Sequence, residues 1–227
     1  MKVDAMTQHA NNKMASVFKL YQIELDHHHD THEQLIKISR DVTVASKRCI
    51  FLLHRAADWP RKRKLTLKQA KAELDNIHDG LLGKIAEYIK MDTHIYAKAY
   101  YPGLEEYVEA ITFYYFLQES RLISLNDLHH IAPLAGKLIT PYSYAGGIAD
   151  LSGELMRMCI NVSATATGNL PYQICLFVHT LFVQFIALTR NNRELLIKCK
   201  QIEQNLAKIE KACYEVKLRN TEVVESC

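Results

Sequence analysis

A chain of 227 residues, 48% hydrophobic and 23% charged, can bury a substantial core as one large helical domain or two small ones, which excludes disorder over most of its length. The formal net charge of +3 is too small for a stand-alone nucleic-acid binder that works by neutralising phosphates, so such binding needs a local patch or a more basic partner. The six cysteines, Cys49, Cys159, Cys175, Cys199, Cys213 and Cys227, include no C-x-x-C pair and sit mostly in apolar helical stretches, the pattern of reduced, buried thiols rather than of a disulfide frame or a zinc site.

No signal-peptide pattern opens the sequence and no uninterrupted apolar stretch looks long enough to cross a membrane, which predicts a soluble protein of the cytoplasm and nucleus without a membrane partner. From Met1 to Trp59 there is neither glycine nor proline, so nothing interrupts a very long first helix, with residues 1–13 as a flexible lead. Its apolar positions Leu35, Ile38, Val42, Ala45, Cys49 and Leu52 alternate steps of three and four, the spacing of a helix-packing seam. Asp58-Trp59-Pro60 breaks it, with Trp59 as a loop anchor. A second helix follows from about Leu65 to Lys90, carrying Leu67, Ala70, Leu74, Ile77, Leu81, Ile85 and Tyr88 on one stripe. Pro102-Gly103 precedes an acidic, aromatic helix that ends near Arg121, and Ser124 with Asp127 caps a short helix ended by Pro133 and Gly136. The next helix, from about Tyr142 to Asn161, holds Gly146, Gly147 and Gly153, which implies close approach of a neighbouring backbone. After a polar loop a helix starts near Pro171, and the last helix carries the seam Leu195, Cys199, Ile202, Leu206, Ile209, Cys213 and Val216. No strand pattern, repeat or domain linker is visible. The prediction is an all-α, single-domain bundle of about seven helices over residues 1–227, its long seams completed either by the chain itself or by another subunit.

The segment "LEEYVEAITFYYFLQ" sets acids inside an apolar run. Glu106 and Glu109 are three apart and share a helix face, and "ADLSGELMRM" repeats the arrangement with Asp150 and Glu154 four apart. Acids clustered from two helices in a poorly solvated place repel one another unless a hard divalent cation shares the site, and all-oxygen ligation favours magnesium or manganese over zinc or copper. A di-iron centre wants Glu-x-x-His, whereas Glu109 follows Glu106 and Arg157 follows Glu154 at that spacing. The plainer alternative is that acid pairs on helices are commonplace and Arg157 simply pairs with Glu154.

The segments "DVTVASKRCIFLLHR", "GLEEYVEAITF", "LISLNDL", "GIADLSGELMRMCIN" and "LAKIEKACYEVKLR" together resemble the translin-associated factor X branch of the translin family, in the family's order and from roughly Phe18 to Arg219. The resemblance implies an all-helical translin-like fold and a partnership with translin in a closed hetero-octameric shell. It also implies the catalytic subunit of a magnesium-dependent endoribonuclease acting on single-stranded or nicked RNA, in passenger-strand removal and transfer-RNA fragment processing. The family's catalytic, metal-holding acids fall here on Glu106, Glu109, Asp150 and Glu154; Glu105 stands where the family often has an uncharged residue and is left out. Two features depart from the family: the segment "APLAGKLITPYSY" is short where a long polar loop is usual, and the extended basic N-terminus is missing.

The remaining candidates are weaker. Arg40, Lys47 and Arg48 on the first helix, with Arg55 beyond them, could meet RNA phosphates or simply pair with nearby acids such as Asp41. "PRKRK", Pro60 to Lys64, reads as an import signal, a phosphate contact or a solvated loop. His27, His28, His29 and His32 point in different directions around a helix and read as a solvated face. With no phosphate loop, nucleophilic pairing or serine triad visible, two classes stand: metal-assisted RNA hydrolysis, or a non-catalytic scaffold that stabilises translin.

Overall fold

The computed structural model describes residues 2–58, 60–89, 94–165, 169–190 and 192–225. Trp59 and Cys227 lie outside the described residues. Among these no strand occurs, and the chain is helical nearly throughout.

Helix α1 runs Lys2–Asp58, unbroken because no glycine or proline precedes Pro60, and its path already includes residues 2–13. α2 (Arg63–Asn76), a π-helical segment (Ile77–Leu82) and α3 (Gly83–Ile89) form one continuous rod. The π segment corrects the predicted stripe. A π turn takes in an extra residue, so the buried face steps from Ile77 to Leu82, Ile85 and Ile89, and Tyr88 is left 45% exposed.

α4 (Ala97–Glu119) begins before Pro102-Gly103 rather than after them. Pro102 has no N–H to give, yet the turn is held from outside: Ser39 of α1 accepts from the Gly103 N–H at 3.1 Å and donates to the Tyr100 carbonyl at 3.4 Å. The helix ends at Ser120, which takes the left-handed conformation (φ 54°) usual for a helix-terminating glycine. α5 (Leu125–Ile131) starts on the predicted Ser124–Asp127 capping box, and Pro133 opens a further helical turn, α6 (Pro133–Gly136), instead of ending structure. α7 (Pro141–Thr165), α8 (Leu170–Ile186) and α9 (Arg193–Glu225) complete the bundle. Asn192 opens α9 by accepting from the N–H groups of Glu194 and Leu195.

The principal packing runs α2 on α1, α1 on α4, α4 on α7, α7 on α9 and α9 on α8. Both predicted seams find partners inside the chain. All seven seam residues of α9 are buried; on α1, Leu35, Val42 and Cys49 are buried, but Ser39, Ser46 and Leu53 fill the alternate positions in place of Ile38, Ala45 and Leu52. Four cysteines, Cys49, Cys159, Cys199 and Cys213, are buried, and Cys175 is partly so. Among the described residues, exposed apolar side chains include Met14, Phe18, Tyr21 and Leu25 of α1 and Tyr172, Leu176, Val183 and Ile186 of α8. The stretch Leu170–Thr189, 20 residues, is long and apolar enough by composition to cross a membrane, which corrects the expectation that none is. It packs Ile174, Val178, Leu181 and Phe185 into the core, and its scattered polar residues Gln173, His179 and Gln184 disguise its overall apolarity.

Of the three glycines of α7, Gly147 is the one that meets a neighbouring backbone, while Gly146 faces the tip of the Glu105 side chain. A Cβ at Gly146 would lie 2.6 Å from the Glu105 carboxyl carbon, and one at Gly147 would lie 2.6 Å from Val108 Cβ and 2.7 Å from the Glu105 carbonyl oxygen, whereas Gly153 meets only Asn205 at an ordinary 3.7 Å. Gly147→Ala is therefore expected to destabilise the chain by about 1–3 kcal/mol, since backbone cannot yield as a side-chain tip can. Gly80→Ala, with nothing within 4 Å, should be neutral or stabilising; denaturant midpoints of the two variants check the contrast.

Candidate metal centre

The close contact of α4 and α7 sets two acidic helix faces beside each other. Glu106 and Glu109 from α4 and Asp150 and Glu154 from α7 line one cleft of about 940 Å³, together with Lys47 of α1, Arg157 of α7 and Asn205 and Lys208 of α9. The acids that spacing singles out are thus brought together. Of the predicted RNA-binding residues, only Lys47 is in the lining; Arg40 and Arg48 are exposed on α1 outside it.

Three of the four acids are held from the side. Lys47 Nζ lies 3.1 Å from Glu106 Oε1, Lys198 Nζ lies 2.5 Å from Asp150 Oδ2, and His54 Nε2 lies 2.5 Å from Glu154 Oε2. Arg157 also reaches Glu154, at 3.4 Å, so the plain pairing anticipated from the sequence does form, beside a shorter bond to His54. Glu105 pairs with Lys198 at 3.1 Å and is absent from the cleft lining, consistent with its omission from the set of acids. Among the described residues no group of three or more His, Cys, Asp or Glu side chains converges tightly enough to hold a metal ion. The carboxylates of Glu106, Asp150 and Glu154 pair with ammonium, guanidinium and imidazole groups, which offsets their mutual repulsion.

Two observations mark a shortage of positive charge. Glu106 Oε2 is buried with no hydrogen-bond partner among the described residues. Burial, followed by the charges of Asp150, Glu154 and Glu106, pushes the Glu109 carboxyl up to about 8, with Lys198 only partly opposing them. Glu154 shows the opposite balance: burial pushes it up, but the His54 hydrogen bond and the Arg157 charge outweigh burial and hold it below the ordinary glutamate range. Lys47 is raised, first by its hydrogen bond to Glu106. A set of hard carboxylate oxygens, one orphaned and one made reluctant to ionise, fits magnesium or manganese.

His54, Lys198 and Glu105 are the residues that sequence reasoning missed or set aside. His54 could have been found, because it stands seven residues after Lys47 and so shares its helix face. Lys198 carries no such signal, lying far from its partners in the sequence. The histidine group is not a site: His28 bonds to Tyr96 and His29 pairs with Glu33. Arg63 of the basic run donates to the Leu117 carbonyl at 2.5 Å, a packing role.

The translin family model matches residues 30–220, which includes every residue that lines this cleft. The chain belongs to the translin family. It is 35% identical to translin-associated protein X of Mus musculus, over 91% of this chain and 79% of the mouse protein. With the translin-associated protein X homolog of Schizosaccharomyces pombe it shares 29% identity, over 92% of this chain and 90% of the yeast protein. Solved translin-like folds agree: apo-NeC3PO superimposes with a TM-score of 0.72 at 18% identity, covering 88% of this chain and 96% of that one. AfC3PO, solved in complex with duplex RNA, superimposes with a TM-score of 0.69 at 18% identity, covering 89% and 97%.

The Glu109 shift gives a stability test of this translin-family cleft. A carboxyl raised from its ordinary 4.5 to about 8 binds its proton more tightly folded than unfolded, so metal-free stability should fall as pH rises between these values. Glu109→Gln, which cannot ionise, should remove that part of the slope. Denaturant melts of both chains in chelator across this window check it.

Proposed function

We propose that this chain is the metal-dependent endoribonuclease subunit of a translin-containing assembly. The observation that carries the reading is the meeting of Glu106, Glu109, Asp150 and Glu154 in one cleft with a buried orphan oxygen and a carboxyl raised to about 8. These acids would hold Mg²⁺, or Mn²⁺ in its place. When bound, such a cation supplies a Lewis acid for a phosphate oxygen and lowers the pKa of attacking water.

The chain's own residues do the rest. Lys47, Arg157 and Lys208 line the cleft and offer positive charge to phosphates flanking the scissile bond. Phe51, exposed at the cleft, gives a face on which an unpaired base can stack, in keeping with single-stranded or nicked RNA. A net charge of +3 is small for gripping RNA alone, so translin supplies much of the affinity. The RNA bound to AfC3PO supports nucleic acid as the ligand class, and the family of the chain supports translin as its partner; an octameric shell is the form of that assembly we propose. The alternative, a scaffold without catalysis, draws on the Glu154–Arg157 pair and is separated by metal-dependent cleavage.

Glu109→Gln, Asp150→Asn and Glu154→Gln should each lower RNA cleavage in magnesium by more than the roughly 10–100-fold typical of losing an outer hydrogen-bond partner, while assembly with translin and RNA binding persist. Single-turnover cleavage measured beside RNA binding decides; stable variants that cleave at the normal rate would remove these residues from the mechanism.

Assembly is tested separately, on the apolar surface the fold leaves open. Leu176 on α8 is 68% exposed, so Leu176→Glu should leave the chain's own folding intact but abolish co-assembly with co-expressed translin. Sedimentation of the co-purified complex reads the outcome.

A further inference from the structure

We infer that His54 is a positioning residue for Glu154: lodged against Phe113, it fixes one carboxylate oxygen and so presents the other to the cleft. The inference rests on the metal-site reading above and adds a residue from a third helix to it.

His54 is buried on α1 and its ring lies against that of Phe113 from α4, with centroids 4.9 Å apart. Its Nε2 meets Glu154 Oε2 of α7 at 2.5 Å, so three helices lock one hydrogen bond. The two oxygens of Glu154 are treated unequally. Oε2 is held by a side chain only 10% exposed, while Oε1 faces Arg157, which is 60% exposed and 3.4 Å away, a partner that solvent can replace. The same one-sided grip recurs on Glu106, where Lys47 takes Oε1 and leaves Oε2 buried without a partner, and on Asp150, where Lys198 takes Oδ2. Of these donors His54 is the least exposed, and it is absent from the cleft lining. It therefore stands behind the acid rather than beside a reacting atom. Carboxylates that bind metals are commonly held in this way by an outer hydrogen bond that orients them.

The test uses the complex of full-length chain and translin, with Mn²⁺ as the probe and free Mn²⁺ read by its paramagnetic resonance signal in the absence of RNA. His54→Leu removes the donor at similar volume and should weaken Mn²⁺ binding by about 10–100-fold. His54→Gln places an amide nitrogen about where Nε2 stood and should restore most of the affinity. At saturating Mn²⁺ the KM for RNA should be unchanged in both, since neither variant alters the RNA-facing lining. Wild-type Mn²⁺ affinity in His54→Leu would overturn the inference, and so would equal losses in both variants tracking equal drops in melting temperature, which would make His54 a packing residue. Asp150→Asn and Glu154→Gln serve as references. If they too bind Mn²⁺ like wild type, the metal-site reading fails; if they lose it while His54→Leu does not, only the role of His54 fails.

Discussion

The close approach of α4 and α7 is the constraint on which the rest depends. Gly147 has no room for a side chain, because Val108 and the Glu105 backbone occupy the space a Cβ would need, and Gly146 faces the Glu105 carboxylate. A helix pair with larger residues there would stand further apart, and the acids on the two faces would then be separated by solvent instead of sharing a cleft. α1 and α9 flank this pair, one packed on α4 and the other on α7, and bring the basic side chains to it. Fold and site are therefore one problem: Gly147 fixes the helix separation, and the separation fixes the electrostatics.

That electrostatic arrangement is poised rather than relaxed. Lys47, His54, Arg157 and Lys198 each satisfy part of an acid, yet Glu109 is left with its charged form disfavoured and Glu106 with a buried bare oxygen. A protein selected for stability alone gains nothing from such a cluster, since an uncompensated buried charge is costly. Clusters of this kind are characteristic of sites that wait for a ligand. Under the proposed function the ligand is a hard divalent cation, and the basic and apolar residues around the cleft are the part of that proposal that concerns RNA.

Much of this was legible in the sequence because it depends on local periodicity. The α9 seam from Leu195 to Val216 is buried as spacing predicts, and the acid pairs at 106/109 and 150/154 fall on facing helices. What escaped depends on events that periodicity does not encode. The π segment at Ile77–Leu82 shifts the buried face by one residue, and no propensity marks it. Pro102 lies inside α4, where Ser39, distant in sequence, hydrogen-bonds the backbone on either side of it. Lys198 reaches Asp150 only through the α7–α9 contact. Spacing left open whether the chain or a second subunit completes the long seams; the chain packs them itself, and exposed apolar side chains fall instead on the N-terminal part of α1 and on α8, whose interspersed polar residues had concealed them.

The packing of four helices brings Glu106, Glu109, Asp150 and Glu154 to one cleft within the stretch that matches the translin family. The most direct measurement of the metal-site proposal is a crystal of the complex soaked in Mn²⁺ and recorded at a wavelength where manganese scatters anomalously. A four-carboxylate site predicts an anomalous peak between Glu106, Glu109, Asp150 and Glu154, with carboxylate oxygens about 2.0–2.2 Å from it. A cleft that remains without anomalous density, its acids still tied to Lys47, His54 and Lys198, would contradict it.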